Sequence, residues 1–184
     1  MKELSLNILD IAQNSVKAKA SLIEIEIDET DEKLTIIIRD NGCGMSKEIL
    51  EGVTNPFYTT RTTRNVGLGI PLLKDACEQT GGSFEIKSQQ KNEENLISGT
   101  EVRASFFKNH LDFTPLGDIV STVTTLIQGS PDIDFIFSHN KCGSKVFLST
   151  LEMREVLGEI PLNSFEVIKW AGDCLKEQYQ DIVK

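Results

Sequence analysis

The sequence lacks any long apolar run. None of its apolar segments approaches the roughly 18 residues that a membrane-spanning helix needs. The N-terminus carries Lys2, Glu3 and Asp10 where a secretory signal would have an apolar core. We therefore expect a cytoplasmic protein that does not bind a membrane.

Cysteine and histidine are scarce. The four cysteines form no CxxC pair, so the sequence offers neither a zinc motif nor a dense disulfide framework, and we expect reduced thiols. The two histidines, His110 and His139, lie in "HLDF" and "HNKC", which lack the pattern around a phospho-accepting histidine. We interpret both as boundary or turn residues.

Positive charge is also in deficit. Lysine and arginine total 19 against 28 acidic residues, a formal net charge of -9, which argues against a nucleic-acid-binding surface. An anionic ligand would need a local positive cluster. The remaining composition, 39% hydrophobic and 26% charged, is typical of a globular chain that can bury one good core or two small ones.

Hydrophobic periodicity predicts an α/β part over residues 1–108. A helix ends near Lys19 and is followed by the alternating strand "SLIEIEID" and a second strand "EKLTIIIRD". Ser46 is a predicted N-cap, and "IPLLKDACEQTGG" predicts a helix with Gly81 at its C-terminal cap. The strands "SFEIKSQ" and "GTEVRASFF" complete this part.

The segment "FFKNHLDFTPLGD" interrupts the periodicity and predicts a boundary. Residues 109–184 then predict a small α+β unit in the order αββαα, with "DIDFIFSH" and "KVFLST" forming a hairpin. Its composition identifies no chemistry, and a docking or regulatory role is the working hypothesis.

The first helix carries one narrow polar stripe, formed by Asn7, Asp10, Asn14 and Lys17 at helical spacing. Such a stripe is usually a solvated face, and the alternative is that it lines a ligand cleft. Mg²⁺ takes only one or two protein oxygens beside nucleotide phosphates. Asn14, with Asp10 one turn earlier, could supply them, and Lys17 could contact a phosphate oxygen.

Glycines mark a second candidate segment, "RDNGCGM", where a strand ends in Asp40. Alone it is typical of a turn. Gly42 and Gly44 would also let a planar ligand approach the backbone, with the carboxylate accepting a hydrogen bond from an amino group such as that of adenine.

A third segment, "NPFYTTRTTRNVGLGIPLLK", combines Arg61 and Arg64 with glycines that lead directly into a helix. A GxG before a helix is weak evidence by itself. Two arginines and the free N–H groups of a helix N-terminus together predict a phosphate clamp, and the Thr-rich run predicts a lid.

Together these segments resemble the ATP-binding domain of the GHKL superfamily, which groups gyrase B subunits, large heat-shock chaperone ATPases, histidine kinases and MutL proteins. "DIAQNSVK", "DNGCGM", "NPFYTTR", "GLGIPLLK" and a final "GT" occur in the family's order over residues 1 to about 108. The resemblance implies a Bergerat fold, a two-layer α/β sandwich with helices on one face of a mixed sheet.

The resemblance also implies roles for individual residues. Asn14 would chelate Mg²⁺, Asp40 would bind the adenine amino group, and Thr100 would support that carboxylate through water. Gly42 and Gly44 would shape the adenine pocket. The phosphate lid would include Arg61, Gly67, Leu68 and Gly69. The lid departs from the common kinase form GTGLGL, because Asn65 and Val66 precede Gly67. The threonine hydroxyl of the common form, which could contact phosphate, is therefore absent.

Lys17 favours the histidine kinase branch, because MutL-like and gyrase-like members carry an aspartate at that position and a glutamate base where this chain has Asp10. Asp10 has two candidate roles: a general base, or a group that holds a magnesium-bound water. A loose phosphoryl transition state needs no strong base, which favours the second role.

Two functions follow from the resemblance. The first is a Mg-ATP-dependent kinase-like domain that phosphorylates a separate protein, since we expect no phospho-acceptor module before the first motif; the anti-sigma-factor serine kinases are a less specific match. The second is an ATP-operated switch or slow ATPase that regulates a partner without transfer. Both functions need ATP, Mg²⁺ and a protein partner. We expect no nucleic acid as a partner, and a homodimer is left open.

Overall fold

A computed structural model describes residues 3–54, 68–90 and 97–182. The strands form one six-stranded mixed sheet in the order β3-β4-β2-β1-β5-β6. They are β1 (Leu22–Glu29), β2 (Lys33–Asp40), β3 (Ser83–Gln89), β4 (Gly99–Phe107), β5 (Asp134–Lys141) and β6 (Ser144–Ser149). The helices are α1 (Leu4–Lys17), α2 (Lys47–Gly52), α3 (Gly69–Gln79), α4 (Ile119–Gly129), α5 (Thr150–Leu157) and α6 (Phe165–Ile182).

The alternating strands divide their side chains between two faces, as predicted. Ile23, Ile25 and Ile27 of β1 are buried in the core, which also contains residues of α1, α3, α4 and α6. Each such burial contributes about 1.5 to 3 kcal/mol to folding. The other face of the sheet is charged: Arg39 forms ion pairs with Glu26 at 3.0 Å and Glu101 at 2.6 Å. The α/β class and the mixed sheet are confirmed.

Local signals at helix ends also behave as predicted. The Ser46 hydroxyl accepts the Ile49 N–H at 3.3 Å and caps α2. α3 begins at Gly69, one residue before the predicted start, and is followed by Gly81 with a φ of 74°. None of the helices in the described ranges is long and apolar enough to cross a bilayer.

The C-terminal unit has the predicted αββαα order and extends the N-terminal sheet. β5 pairs with β1 in parallel, from Leu22 opposite Asp134 to Glu29 opposite Lys141. The hydrophobic core is continuous across residue 108. The N-terminus of α1 is also joined to the second part, because the Leu4 N–H donates to the Pro115 carbonyl at 2.9 Å. The division into domains 1–108 and 109–184 therefore stays a prediction about function.

The interpretation of His139 as a boundary or turn residue is wrong, because two further residues of β5 follow it, whereas His110 does lie in the turn after β4. His139 lies within β5 and is 1% exposed. Its Nδ1 is 2.8 Å from the Tyr179 hydroxyl and its Nε2 is 3.1 Å from Glu29 Oε2. Lys108 Nζ donates to the other Glu29 oxygen at 2.7 Å. This buried network joins β1, β5 and α6.

Burial and the neighbouring charges together set the pKa values of His139 and Glu29 in this network. Burial lowers the pKa of His139, and the Glu29 charge only partly offsets that effect. For Glu29, burial raises the pKa, but the hydrogen bond from Lys108 and the charge of Lys141 outweigh it, so the net pKa is below its ordinary value. A neutral His139 that faces a carboxylate through Nε2 carries its proton there and accepts the Tyr179 hydroxyl at Nδ1.

Candidate functional site

Asp40, the last residue of β2, is held by two donors. The Ser15 hydroxyl of α1 donates to Oδ2 at 2.6 Å, and the Gly42 N–H donates to Oδ1 at 2.9 Å. Ser15 is 4% exposed, so its hydroxyl is committed to this contact. A carboxylate has about four acceptor positions, so both oxygens keep capacity for a further donor. Asp40 is therefore a hydrogen-bond acceptor that is fixed in one orientation.

The two glycines after Asp40 are required by close backbone approaches. A Cβ at Gly42 would lie 2.8 Å from the Ala18 carbonyl oxygen and 3.0 Å from Asp40 Oδ1. Gly44 has a φ of 68°, and a Cβ there would overlap the Gln89 carbonyl. The segment therefore runs tightly between the end of α1 and the end of β3, beside the carboxylate.

Thr100 lies opposite Asp40 in the β2–β4 register. Its hydroxyl is 2.8 Å from Ser88 Oγ, and that same Ser88 oxygen accepts the Met45 N–H at 2.8 Å. Thr100 thus helps to hold the glycine segment through Ser88. Its predicted support of Asp40 through water stays a prediction. Gly99, with a φ of 149°, lets β4 pass against the Asp40 carbonyl.

The polar stripe of α1 is not a uniform solvated face. Asn7 is 1% exposed and its Oδ1 has no hydrogen-bond partner, whereas Asp10 and Lys17 are exposed and Asn14 is half-buried. Asp10 faces the start of α3, since a Cβ at Gly69 would lie 2.9 Å from Asp10 Cβ. The stripe therefore runs from the α3 N-terminus toward the end of α1, where Ser15 contacts Asp40.

The N-terminus of α3 carries the partial positive charge of the helix dipole, which favours anions. Leu68, at the N-cap position, is 45% exposed, and its own side chain makes no capping bond to the first-turn N–H groups. Asp10 and Ser15 are five residues apart, which is about 7.5 Å along the α1 axis. The α3 N-terminus and the Asp40 carboxylate therefore contact α1 at two separate points of the same helix. The predicted lid residues Arg61, Arg64 and Gly67 lie outside the described residues.

The described residues contain no cluster of three or more histidine, cysteine or acidic side chains suited to hold a metal ion. The predicted Mg²⁺ ligands are Asn14 and, through water, Asp10. An ion that takes one or two protein oxygens and completes its shell with phosphate and water fits this donor set.

Two residues of the site were missed from the sequence. The predicted site residues do not include Ser15, and Ser88 lies in the predicted strand "SFEIKSQ" with no role assigned to it. Ser15 follows Asn14 directly, and a hydroxyl on an otherwise apolar buried face needs a partner, which is a usable signal. Ser88 gives no such signal, because its partners are a backbone N–H and a hydroxyl that only the sheet register brings near.

Comparisons with known proteins identify the family and the fold of the chain. The model of the family described as histidine kinase-, DNA gyrase B-, and HSP90-like ATPase matches residues 2–111. A putative sensor protein of Shewanella frigidimarina is 28% identical over 107 residues, which are 58% of this chain and 15% of that protein. Sporulation kinase D of Bacillus subtilis is 32% identical over 97 residues, 52% of this chain and 18% of that protein. The chain spans less than a fifth of the length of both relatives.

Among solved structures, the Aquifex aeolicus MutL ATPase domain complexed with ADP has a TM-score of 0.54 at 17% identity. The alignment covers 85% of this chain and 69% of that domain, so the likeness in fold continues beyond residue 111. The fold is thus shared with a nucleotide-binding domain, and the family model covers more than half of the sequence. The chain belongs to the histidine kinase-, DNA gyrase B- and HSP90-like ATPase family.

Proposed function

We propose that this chain binds Mg-ATP with the adenine amino group on Asp40. The observation that carries the proposal is the Asp40 carboxylate, which Ser15 and Gly42 hold in one orientation with acceptor capacity left over. An adenine amino group is a neutral donor that a charged acceptor binds with about 1.5 to 3 kcal/mol. Membership in an ATPase family supports the same ligand.

The phosphates would lie between the polar stripe of α1 and the N-terminus of α3. Asn14 would hold Mg²⁺, Asp10 would hold a water of the metal, and Lys17 would contact a phosphate oxygen. Bound Mg²⁺ would neutralise part of the phosphate charge. The first-turn N–H groups of α3 at Leu68 and Gly69 would bind phosphate oxygens, with Arg61 and Gly67 completing the lid.

The reaction that we propose is phosphoryl transfer to a separate protein. The relatives named as kinases and sensors support a kinase-type domain, and Lys17 is the kinase-type residue in the first motif. Of the chain's two histidines, the buried His139 is a poor phosphoryl acceptor. Both ring nitrogens of His139 are already bonded in the interior. The ring of His110 lies 3.6 Å from the Asp112 carboxylate in the turn that follows β4.

The second candidate is an ATP-operated switch or slow ATPase that regulates its partner without transfer. One observation favours it, namely that the likeness in fold to the MutL ATPase domain continues into the C-terminal unit. β5 pairs directly with β1, so a change near α1 has a short path to that unit.

Labelled ATP separates the two candidates. The chain and its Asn14→Ala variant are incubated with γ-³²P-ATP, Mg²⁺ and a lysate of the source organism. Label on a second protein that depends on Asn14 supports transfer, and its stability in acid distinguishes a hydroxyl acceptor from a histidine. Free phosphate with no labelled protein supports the switch. Failure of the chain to bind ATP contradicts both.

A further inference from the structure

An apolar groove of about 790 Å³ lies between β6, α5 and α6, at the sheet edge farthest from β3. It is lined mainly by Phe147, Leu148, Met153, Val156, Leu157, Ile160, Val167 and Trp170. Three of these large side chains are well exposed: Val156 at 88%, and Ile160 and Trp170 each at 54%. Contiguous exposed apolar side chains of this size are typical of interaction sites, and tryptophan is a frequent binding hot spot.

The charges around the groove are mostly acidic. Glu152 and Glu166 belong to its lining, which contains no lysine or arginine. Glu155 and Glu159 are exposed on the same stretch of chain. Cations also lie close to the lining: Lys145, whose Nζ lies 4.9 Å from the Phe147 ring centre, and Arg154 and Lys169, which adjoin Met153 and Trp170 along the chain. The lining itself has two glutamates and no lysine or arginine, and it therefore favours a basic occupant.

The shape of the edge favours a helix over a strand as occupant. β6 is an edge strand, but the Gln178 side chain of α6 binds the Phe147 backbone on its open side. The Phe147 N–H donates to Gln178 Oε1 at 2.8 Å, and Gln178 Nε2 donates to the Phe147 carbonyl at 3.0 Å. A partner strand cannot pair at that residue. A second copy of the chain is disfavoured too, since a two-fold contact would bring the same acidic lining to both sides of the interface.

We propose that this groove binds an amphipathic basic helix of a partner protein. Its apolar side chains would fill the space around Val156, Ile160 and Trp170, and its lysines or arginines would face Glu152 and Glu166. This is the helix-in-groove mode of recognition, and the volume lies within the usual range of ligand pockets. The proposal concerns the β6 edge, three strands away from β2 and its Asp40, and does not depend on what ATP does at that site.

Trp170 is the only tryptophan of the chain, so its fluorescence reports on the groove directly. The full chain is titrated with a 14-residue helical peptide that has leucines on one face and lysines on the other. The matched control peptide has glutamate in place of each lysine. We expect a saturable blue shift of Trp170 emission with the lysine peptide and none with the glutamate peptide.

Three double variants test the residues. Val156→Ser with Ile160→Ser removes exposed apolar surface without touching the core and should weaken binding by about tenfold or more. Glu152→Gln with Glu166→Gln should weaken it by about fivefold. Glu51→Gln with Glu78→Gln removes the same two charges from exposed positions on α2 and α3, near the opposite edge, and should leave binding unchanged.

Several results would overturn the proposal. Equal binding of the two peptides would exclude charge recognition, and equal weakening by the two glutamate variants would mean attraction to net charge alone. The same blue shift with phosphatidylcholine vesicles would identify a membrane surface. Sedimentation that shows a dimer disrupted by Val156→Ser with Ile160→Ser would identify a second copy as the occupant. None of these readouts requires nucleotide, so they are separate from the test of ATP binding.

Discussion

Asp40→Asn is the sharpest perturbation of the proposed site. The amide oxygen can still accept the Gly42 N–H, and the amide NH₂ can donate to the Ser15 hydroxyl, which can rotate to accept it. The local fold should survive. What is lost is the negative charge and one carboxylate oxygen, which is the acceptor that we propose for the adenine amino group.

The expected loss follows from that one hydrogen bond. A bond to a charged group contributes about 1.5 to 3 kcal/mol. Asp40→Asn should therefore weaken ATP binding by about 10- to 150-fold, measured by isothermal titration calorimetry with Mg²⁺ present. Ser15→Ala, which keeps the carboxylate and removes one neutral donor, should cost about 0.5 to 1.5 kcal/mol, or about 2- to 13-fold.

Inosine triphosphate supplies the specificity control, since it has a carbonyl oxygen where ATP has the amino group. The unmodified chain should prefer ATP, and Asp40→Asn should reduce or reverse that preference because its amide can donate to the carbonyl. Unchanged ATP affinity in a folded variant would refute the assignment of Asp40. Equal weakening of the two nucleotides would show that Asp40 acts on something other than the base.

Three further predictions concern Mg²⁺, the backbone and pH. Asn14→Ala should abolish the difference in ATP affinity between Mg²⁺ and EDTA in calorimetry, whereas Gln13→Ala, exposed on the same helix, should preserve it. Gly99→Ala should lower the free energy of unfolding, measured in urea, by about 1 to 3 kcal/mol, because its φ of 149° and the nearby Asp40 carbonyl exclude a Cβ. Gly129→Ala is the control, since there is open space around Gly129, and it should not lower the free energy of unfolding. Equal effects of the two substitutions would contradict the role assigned to Gly99. The lowered pKa of His139 means that the unfolded chain binds its proton more readily, so the melting temperature should fall as pH drops from 7.5 to 5.5. His139→Gln should flatten that dependence and His110→Gln should not. Below about pH 4.5 the lowered pKa of Glu29 acts in the same direction, since its stabilising charge is lost as pH falls.

Local features of this fold follow from the sequence. The two-residue alternation in β1 and the Ser46 cap depend on neighbours a few residues away. The position of β5 in the sheet does not depend on such local signals. It lies beside β1 in parallel, with Phe135 opposite Ile23, and nothing within either strand specifies that neighbour. Hydrophobic periodicity therefore cannot predict that the sheet extends into the C-terminal unit or that His139 belongs to a buried network.

The site shows the same limit. Spacing placed Asn7 in a polar stripe with Asp10, but helical spacing does not reveal what packs on each turn, and Asn7 is buried. Ser15 was missed because its importance depends on the distance to Asp40, which the packing of α1 on β2 sets. Asp40 itself was identified from its position before two glycines, which is a local signal.

A crystal structure of the chain with Mg²⁺ and the non-hydrolysable analogue AMP-PNP tests the central claim most directly. We predict that the adenine amino nitrogen lies within about 3.2 Å of the Asp40 carboxylate, with Mg²⁺ on the Asn14 side chain. A nucleotide bound elsewhere, or a base that does not contact Asp40, would contradict the proposed site.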